Sequence, residues 1–303
     1  MSHIPIERHY TCPWCETVSD GTALACPGCG VSVDVERIAT KSGWIEMPGR
    51  TDMAKIQFGH SSLQIEGEYV PVADFNLAPN DGVYFTHHVL LWMDAQIRIG
   101  AMSLKGGWKR LFAGLPLIML EAFGPGHIAF SRDAPGELIA LPIQAGQAVD
   151  VREHIFLAAT HSVSYDWFSP DVWFTTQSGN DTETHYPLGR FMDRFFAPQA
   201  PGLLLLHAAG NAFVRHLSPN ESILIKPTAL LFKDPTVQMH LHLEYPAGSG
   251  GSSWGIFNAS WRSRHLWLKL YGPGRVAMHS AYDPVGDNGR VIRRHSNATQ
   301  QEW

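Results

Sequence analysis

From about residue 42 the chain breaks into short apolar or alternating runs separated by Gly, Pro, Asn and Asp. Ser62-Leu63-Gln64-Ile65-Glu66 alternates with a period of two. Leu138-Ile139-Ala140-Leu141 is a short continuous apolar run, and Val237 to Leu243 alternates again. Such runs, bounded by turn residues, predict strands, and sustained helical periodicity is scarce. The best helix candidate is a brief one around Gly107 to Ala113. The prediction is an all-β body.

Three fifteen-residue windows resemble one another: Asn80–Asp94, Gly146–Thr160 and Asn220–Asp234. Each opens on a turn residue, continues as a short strand, breaks at polar residues and resumes as an apolar strand. Their starts lie 66 and 74 residues apart, the size of a multi-stranded element. A second echo is Gly124-Pro125-Gly126 against Gly272-Pro273-Gly274. Pro followed by Gly predicts type II turns with Gly126 and Gly274 at positive φ. Ala209-Gly210-Asn211-Ala212-Phe213-Val214 is a weaker copy without the proline. These echoes predict three related β lobes around a shared core, a compact arrangement like a double-stranded β-helix.

The predicted layout is a small module over residues 1–41, a repeated all-β body over 42–283 and a frayed polar tail over 284–303. Pro246 to Ser253 is expected to form a long exposed loop. The apolar runs Leu203–Leu206 and Leu266-Trp267-Leu268 exceed what a sheet with one polar face shows. Together with exposed sheet edges they point to self-association as a homo-oligomer.

The module holds all four cysteines of the 303-residue chain. Cys12-Pro13-Trp14-Cys15 and Cys26-Pro27-Gly28-Cys29 are two C-x-x-C knuckles ten residues apart, with an Asp20-Gly21 turn signal between them. Four thiolates suit the tetrahedral shell of zinc, and doubled knuckles at this spacing are the pattern of a zinc ribbon. A shell closed by Cys12, Cys15, Cys26 and Cys29 leaves no position for water. One structural zinc per chain is therefore expected, holding folded a module too small for a core of its own.

Net charge is −5, which gives no general attraction to phosphate backbones. Up to Lys41 there are five acidic and three basic side chains, so the ribbon reads as a protein-docking or architectural element. Lys105, Lys109 and Arg110 beside Trp108 form a small basic-aromatic patch, read as a solvated loop. No secretory h-region opens the chain, and no apolar run is long enough for a transmembrane helix. The cysteine usage and this start predict a cytoplasmic protein.

Several of these residues are similar to those of a known family. They are Lys105 to Gly114 (KGGWKRLFAG), Glu121 to Gly126 (EAFGPG), Pro135-Gly136-Glu137, Phe156 to Thr160 and Gly272 to Val276. Over about residues 55–282 the chain resembles the Altered Inheritance of Mitochondria 24 family, a domain of unknown function in bacteria. The resemblance implies a fold similar to that of the trp RNA-binding attenuation protein, with no enzymatic activity or catalytic residue to carry over. The zinc ribbon lies outside it.

The leading expectation is a non-enzymatic self-associating scaffold or binding module. The alternative is a cupin-like metalloenzyme. His240 and His242, two apart on a strand, would face one side and could join His207 or His216 around a metal. No carboxylate stands in register with them. Nucleophile elbow, P-loop and dinucleotide fingerprints are absent from the sequence.

Overall fold

The structure is a computed structural model that describes residues 9–12, 17–20, 28, 42–47, 54–102, 119–178, 181–243, 266–282 and 290–295. Among them every regular element is a strand, apart from two 3-10 turns at His87–Val89 and Pro227–Ala229. The helix expected near Gly107, the loop at 246–253 and the basic-aromatic patch lie outside the described residues. In the N-terminal module, β1 (His9–Thr11) and β2 (Val18–Asp20) form an antiparallel hairpin. Before the repeats come β3 (Ile45–Glu46), β4 (Ala54–Phe58) and β5 (Ser61–Glu66).

The body repeats one six-stranded lobe three times. Lobe 1 comprises β6 (Val72–Leu77), β7 (Gly82–Thr86), β8 (Leu90–Met93), β9 (Arg98–Ala101), β10 (Met119–Phe123) and β11 (Gly126–Ser131). Lobe 2 begins with β12 (Glu137–Ile143), β13 (Ala148–Arg152), β14 (Phe156–Thr160) and β15 (Ser164–Phe168). After an inserted hairpin, β16 (Phe174–Ser178) and β17 (Asp181–Tyr186), it ends with β18 (Met192–Phe196) and β19 (Gly202–Ala208). Lobe 3 comprises β20 (Ala212–Leu217), β21 (Ser222–Ile225), β22 (Leu230–Lys233), β23 (Gln238–Leu243), β24 (Leu266–Tyr271) and β25 (Gly274–His279).

Each lobe pairs its strands in the same way. The sixth strand lies between the first and third, as β11 does between β6 and β8. The fifth lies between the second and fourth, as β10 does between β7 and β9. Lobe 2 repeats this with β19 and β18, and lobe 3 with β25 and β24. The three sequence windows are the second and third strands of each lobe. The polar break between them is where the chain leaves one sheet for another.

Neighbouring lobes are stitched by one further pairing. The third strand of the later lobe joins the second strand of the earlier one, β14 on β7 and β22 on β13. Four sheets result: β4-β5-β6-β11-β8, β12-β19-β14-β7-β10-β9, β15-β18-β13-β22-β25-β20-β3 and β21-β24-β23. We number them one to four.

Three cores, rather than one shared core, fill the spaces between successive sheets. The first includes Phe75 and Leu77 of sheet one with Phe85 and Leu157 of sheet two. The second sets Ile139, Leu141 and Leu204 of sheet two against Val149, Phe195 and Phe232 of sheet three. The third sets Met192, Leu217 and Val276 against Leu268 and Leu270 of sheet four. Sheets two and three are buried on both faces, which explains continuous apolar strands. Leu203 and Leu205 enter the first core while Leu204 and Leu206 enter the second. That run is therefore core, and its apparent surplus of apolar surface is accounted for within the chain. In the other run Leu266 and Leu268 are buried and Trp267 is partly covered.

The Gly-Pro-Gly echoes join the fifth and sixth strands of lobes 1 and 3. Gly126 and Gly274 have φ of +132° and +138°, as expected. Both values lie far from the φ of about +80° that a type II turn has at its glycine, so the turns are not type II. The lobe 2 counterpart is Pro201-Gly202, at the start of β19, and not the Ala209–Val214 copy. The latter is the link from lobe 2 into β20. The tail also differs from its expectation: Arg290–His295 forms β26 and pairs with β17 along six residues. An open edge on β17 and the β-branched Val291-Ile292 pair favour strand there over fraying.

Candidate functional site

The repeat is broken at two places. Among the described residues the third strand of lobe 1, β8, has no preceding lobe to join and ends sheet one. The second strand of lobe 3, β21, has no following lobe among the described residues and ends sheet four. Their counterparts are the strands of the two internal joints.

Those joints share one register. At the first, Ala159 faces Tyr84 and Ala158 faces Phe85. At the second, Lys233 faces Asp150 and Phe232 faces Val151. Aligning the three windows places Met93 with Ala159 and Lys233, and Leu224 with Tyr84 and Asp150. All four joint residues are buried. Met93 is 42% exposed and Leu224 44% exposed. The contrast extends along β8. Leu157 and Ala158 of β14 enter the core of the preceding lobe, and Leu231 and Phe232 of β22 do the same. Their lobe 1 equivalents, Leu91 and Trp92, are 56% and 43% exposed.

The second joint carries charge where the first carries an alanine and a tyrosine. Lys233 Nζ donates to Asp150 Oδ2 at 2.9 Å, and Arg194 Nε donates to Asp150 Oδ1 at 2.6 Å. Arg194 Nη2 adds a bond to Oδ2 at 3.0 Å. The buried carboxylate is thus met by two cations, which makes its burial tolerable.

A cluster of histidines lies near Arg132. Arg132 Nη1 donates to His88 Nε2 at 2.9 Å, so that ring is neutral with its proton on Nδ1. Partial desolvation, with the charge of Arg132 behind it, lowers His88 and His154 below the usual histidine range, although both rings keep an exposed side. Burial lowers His207 too, against a bond between Nε2 and the Ala134 carbonyl.

The structure separates the four histidines of the metalloenzyme alternative. His240 and His242 share an exposed face of β23 in sheet four. His207 is buried in β19 of sheet two, and His216 is exposed on β20 of sheet three. Among the described residues no three His, Cys, Asp or Glu side chains group as a metal site. Glu137 caps a link, accepting bonds from Asn211 Nδ2 and the Ala212 amide.

Of the expected zinc ligands, Cys12 is described. It is buried at the end of β1, and its amide donates to the Thr17 carbonyl at 3.0 Å, so β1 and β2 bracket the first knuckle. Cys15, Cys26 and Cys29 lie outside the described residues. The sequence missed β8 and β21 as a pair of edges. The signal was present in the aligned windows, where the first holds Leu91-Trp92-Met93 without a partner window before it.

The family model described as "Mitochondrial biogenesis AIM24" matches residues 63–281, which contain all three lobes. The chain belongs to the AIM24 family. A crystal structure of a Streptococcus pyogenes protein shares the fold, with TM-score 0.50 and 15% identity over 74% of this chain and 94% of that one. No curated protein matches the AIM24 chain. No helix among its described residues is long and apolar enough to cross a membrane.

Proposed function

We propose that this AIM24-family chain is a non-enzymatic, self-associating β scaffold of the cytoplasm, with an N-terminal zinc ribbon that docks a protein partner. The observation that carries the reading is the exposure of Leu91, Trp92, Met93 and Leu224 at positions that the internal joints bury. Apolar surface of this kind on a sheet edge is a template for further pairing. The zinc reading rests on the donor set. Cys12, Cys15, Cys26 and Cys29 are four soft thiolates at ribbon spacing, and burial of Cys12 beside a tight hairpin fits a ligand. A closed shell of four thiolates gives the ion a structural role and no site for substrate.

Light scattering combined with metal analysis of the full chain tests both parts. The expected result is a mass that is a multiple of 33.6 kDa at micromolar concentration, with one zinc per chain. A mass of one chain across a wide concentration range overturns the scaffold. Zinc-free folded protein overturns the ribbon.

A further inference from the structure

The two open edges are complementary in the register of the internal joints. Inside the chain the second strand of one lobe accepts the third strand of the next, antiparallel and in one register, twice. Among the described residues β21 is an unfilled acceptor of this kind, and β8 is an unfilled donor. Side chains on both are oriented for a joint. Ile223 and Ile225 of β21 pack on their own core. Leu224, between them, points away, as Tyr84 does at the first joint, where it fills the core of the following lobe. Leu90 packs against the core of lobe 1, whereas Leu91 and Trp92 point where a preceding lobe would lie.

Charge separates these two apolar edges from the other edges of sheets one to three. Protein edges are commonly protected by charged side chains or proline. The other edges of sheets one to three carry Lys55 on β4, Arg98 on β9, Glu137 and Pro142 on β12, Asp166 on β15 and Glu46 on β3, whereas the edge β16 of the inserted hairpin (FTTQS) is uncharged but mostly polar. The fourth-sheet edge β23 carries two histidines. Leu90-Leu91-Trp92-Met93 and Ser222-Ile223-Leu224-Ile225 carry no charge and no proline. Within one chain the two edges end the outermost sheets, with sheets two and three and all three cores between them.

Resting on the self-association reading above, we propose that β8 of one copy pairs with β21 of a second copy of this chain, antiparallel, with Trp92 opposite Ile225 and Met93 opposite Leu224. The joint is the internal lobe-to-lobe joint continued between molecules. It is heterologous: each copy uses one edge and leaves the other for the next. Repetition therefore closes a ring or extends a filament, and a symmetric dimer through one edge is not formed.

One-sided variants test this. Leu91→Asp blocks the β8 edge and leaves β21 intact, and Leu224→Asp does the reverse. Both positions are exposed, and an unchanged unfolding transition confirms folding of each variant. The expected result is that the wild type assembles, each variant alone runs as one chain of 33.6 kDa, and an equal mixture forms a species of two chains and nothing larger. A wild-type assembly that neither variant reduces overturns the β8–β21 joint while leaving self-association standing. A wild type that is one chain at every concentration overturns both. Single variants that each stop at a dimer contradict the head-to-tail arrangement, as does a mixture that stays at one chain.

Discussion

Lys233 and Asp150 face each other across β22 and β13 as register partners, with Nζ 2.9 Å from Oδ2, at the position that Ala159 and Tyr84 occupy one lobe earlier. One backbone joint thus accepts an apolar pair or an ion pair. Both side chains are almost completely buried, so removing one leaves the other charged in a medium that solvates it poorly. Asp150→Ala is predicted to destabilise the body by about 3–5 kcal/mol. The double change Asp150→Leu with Lys233→Met is predicted to cost less than Asp150→Leu alone, since no lysine is then stranded. Chemical denaturation of the variants checks this order. Equal losses in the single and double variants would contradict it.

The turn glycines separate two costs. Gly274 has a φ of +138°, and a Cβ there would stand 2.7 Å from Thr236 Oγ1 and 2.8 Å from Val237 Cγ2. At Gly126, with φ of +132°, the nearest atoms are Asp94 Oδ2 and Gln96 Nε2, both at 3.1 Å. Both backbone conformations strain a β-branched residue. Gly126→Val and Gly274→Val are each predicted to destabilise by more than about 1 kcal/mol, with Gly274→Val the worse. Thermal unfolding midpoints decide it, and a Gly274→Val protein as stable as the wild type would refute the argument.

Acid should weaken the body through its buried histidines. Burial first, and the charge of Arg152 second, push His279 down to about 4 from an ordinary 6.5. Above pH 6.5 both folded and unfolded states hold this ring neutral, and no penalty applies. As pH falls below 6.5 the unfolded state takes up a proton that the folded state refuses until about pH 4. Stability from this group is therefore lost between those values and changes no further below them. The linkage amounts to roughly 3 kcal/mol, and His207 shifts in the same direction. Urea midpoints measured across this range should fall toward acid, with a shallower fall in His279→Gln. Midpoints independent of pH would count against it.

Cys26→Ser tests the division into ribbon and body. One missing thiolate is predicted to abolish stoichiometric zinc and to unfold residues 9–20 while the three lobes keep their cooperative transition. In the proposed zinc reading the metal supplies the folding energy of the ribbon, whereas the body has three cores of its own. Hydrogen exchange followed by mass spectrometry reads both regions at once. Loss of protection across β6 to β25 in that variant would make ribbon and body one unit.

The lobes were legible in the sequence because their signals are local. Asn80, Gly146 and Asn220 mark the same turn, and the apolar strand after each polar break is continuous. Pairing partners were not legible, because the same window spans two sheets and its neighbours lie up to a lobe away. Leu203–Leu206 read as surplus surface for that reason, although alternate residues enter two different cores. Pro201-Gly202 was overlooked because five residues, 197–201, separate β18 from β19, against two between β10 and β11. The proposed zinc ligands rest on spacing alone, since Cys15, Cys26 and Cys29 lie outside the described residues. The Met93–Leu224 relationship needed the two internal registers before the windows could be aligned across molecules.

Cross-linking tests head-to-tail assembly most directly. The variant Met93→Cys with Leu224→Cys is prepared with and without heavy-isotope label, and the two preparations are mixed, dissociated, reassembled and oxidised. Mass spectrometry then reads which chains contribute to peptides joined at 93 and 224. Head-to-tail pairing of β8 on β21 predicts abundant cross-links containing one labelled and one unlabelled peptide. Cross-links of like label only, or none between these positions in an assembled sample, would contradict it.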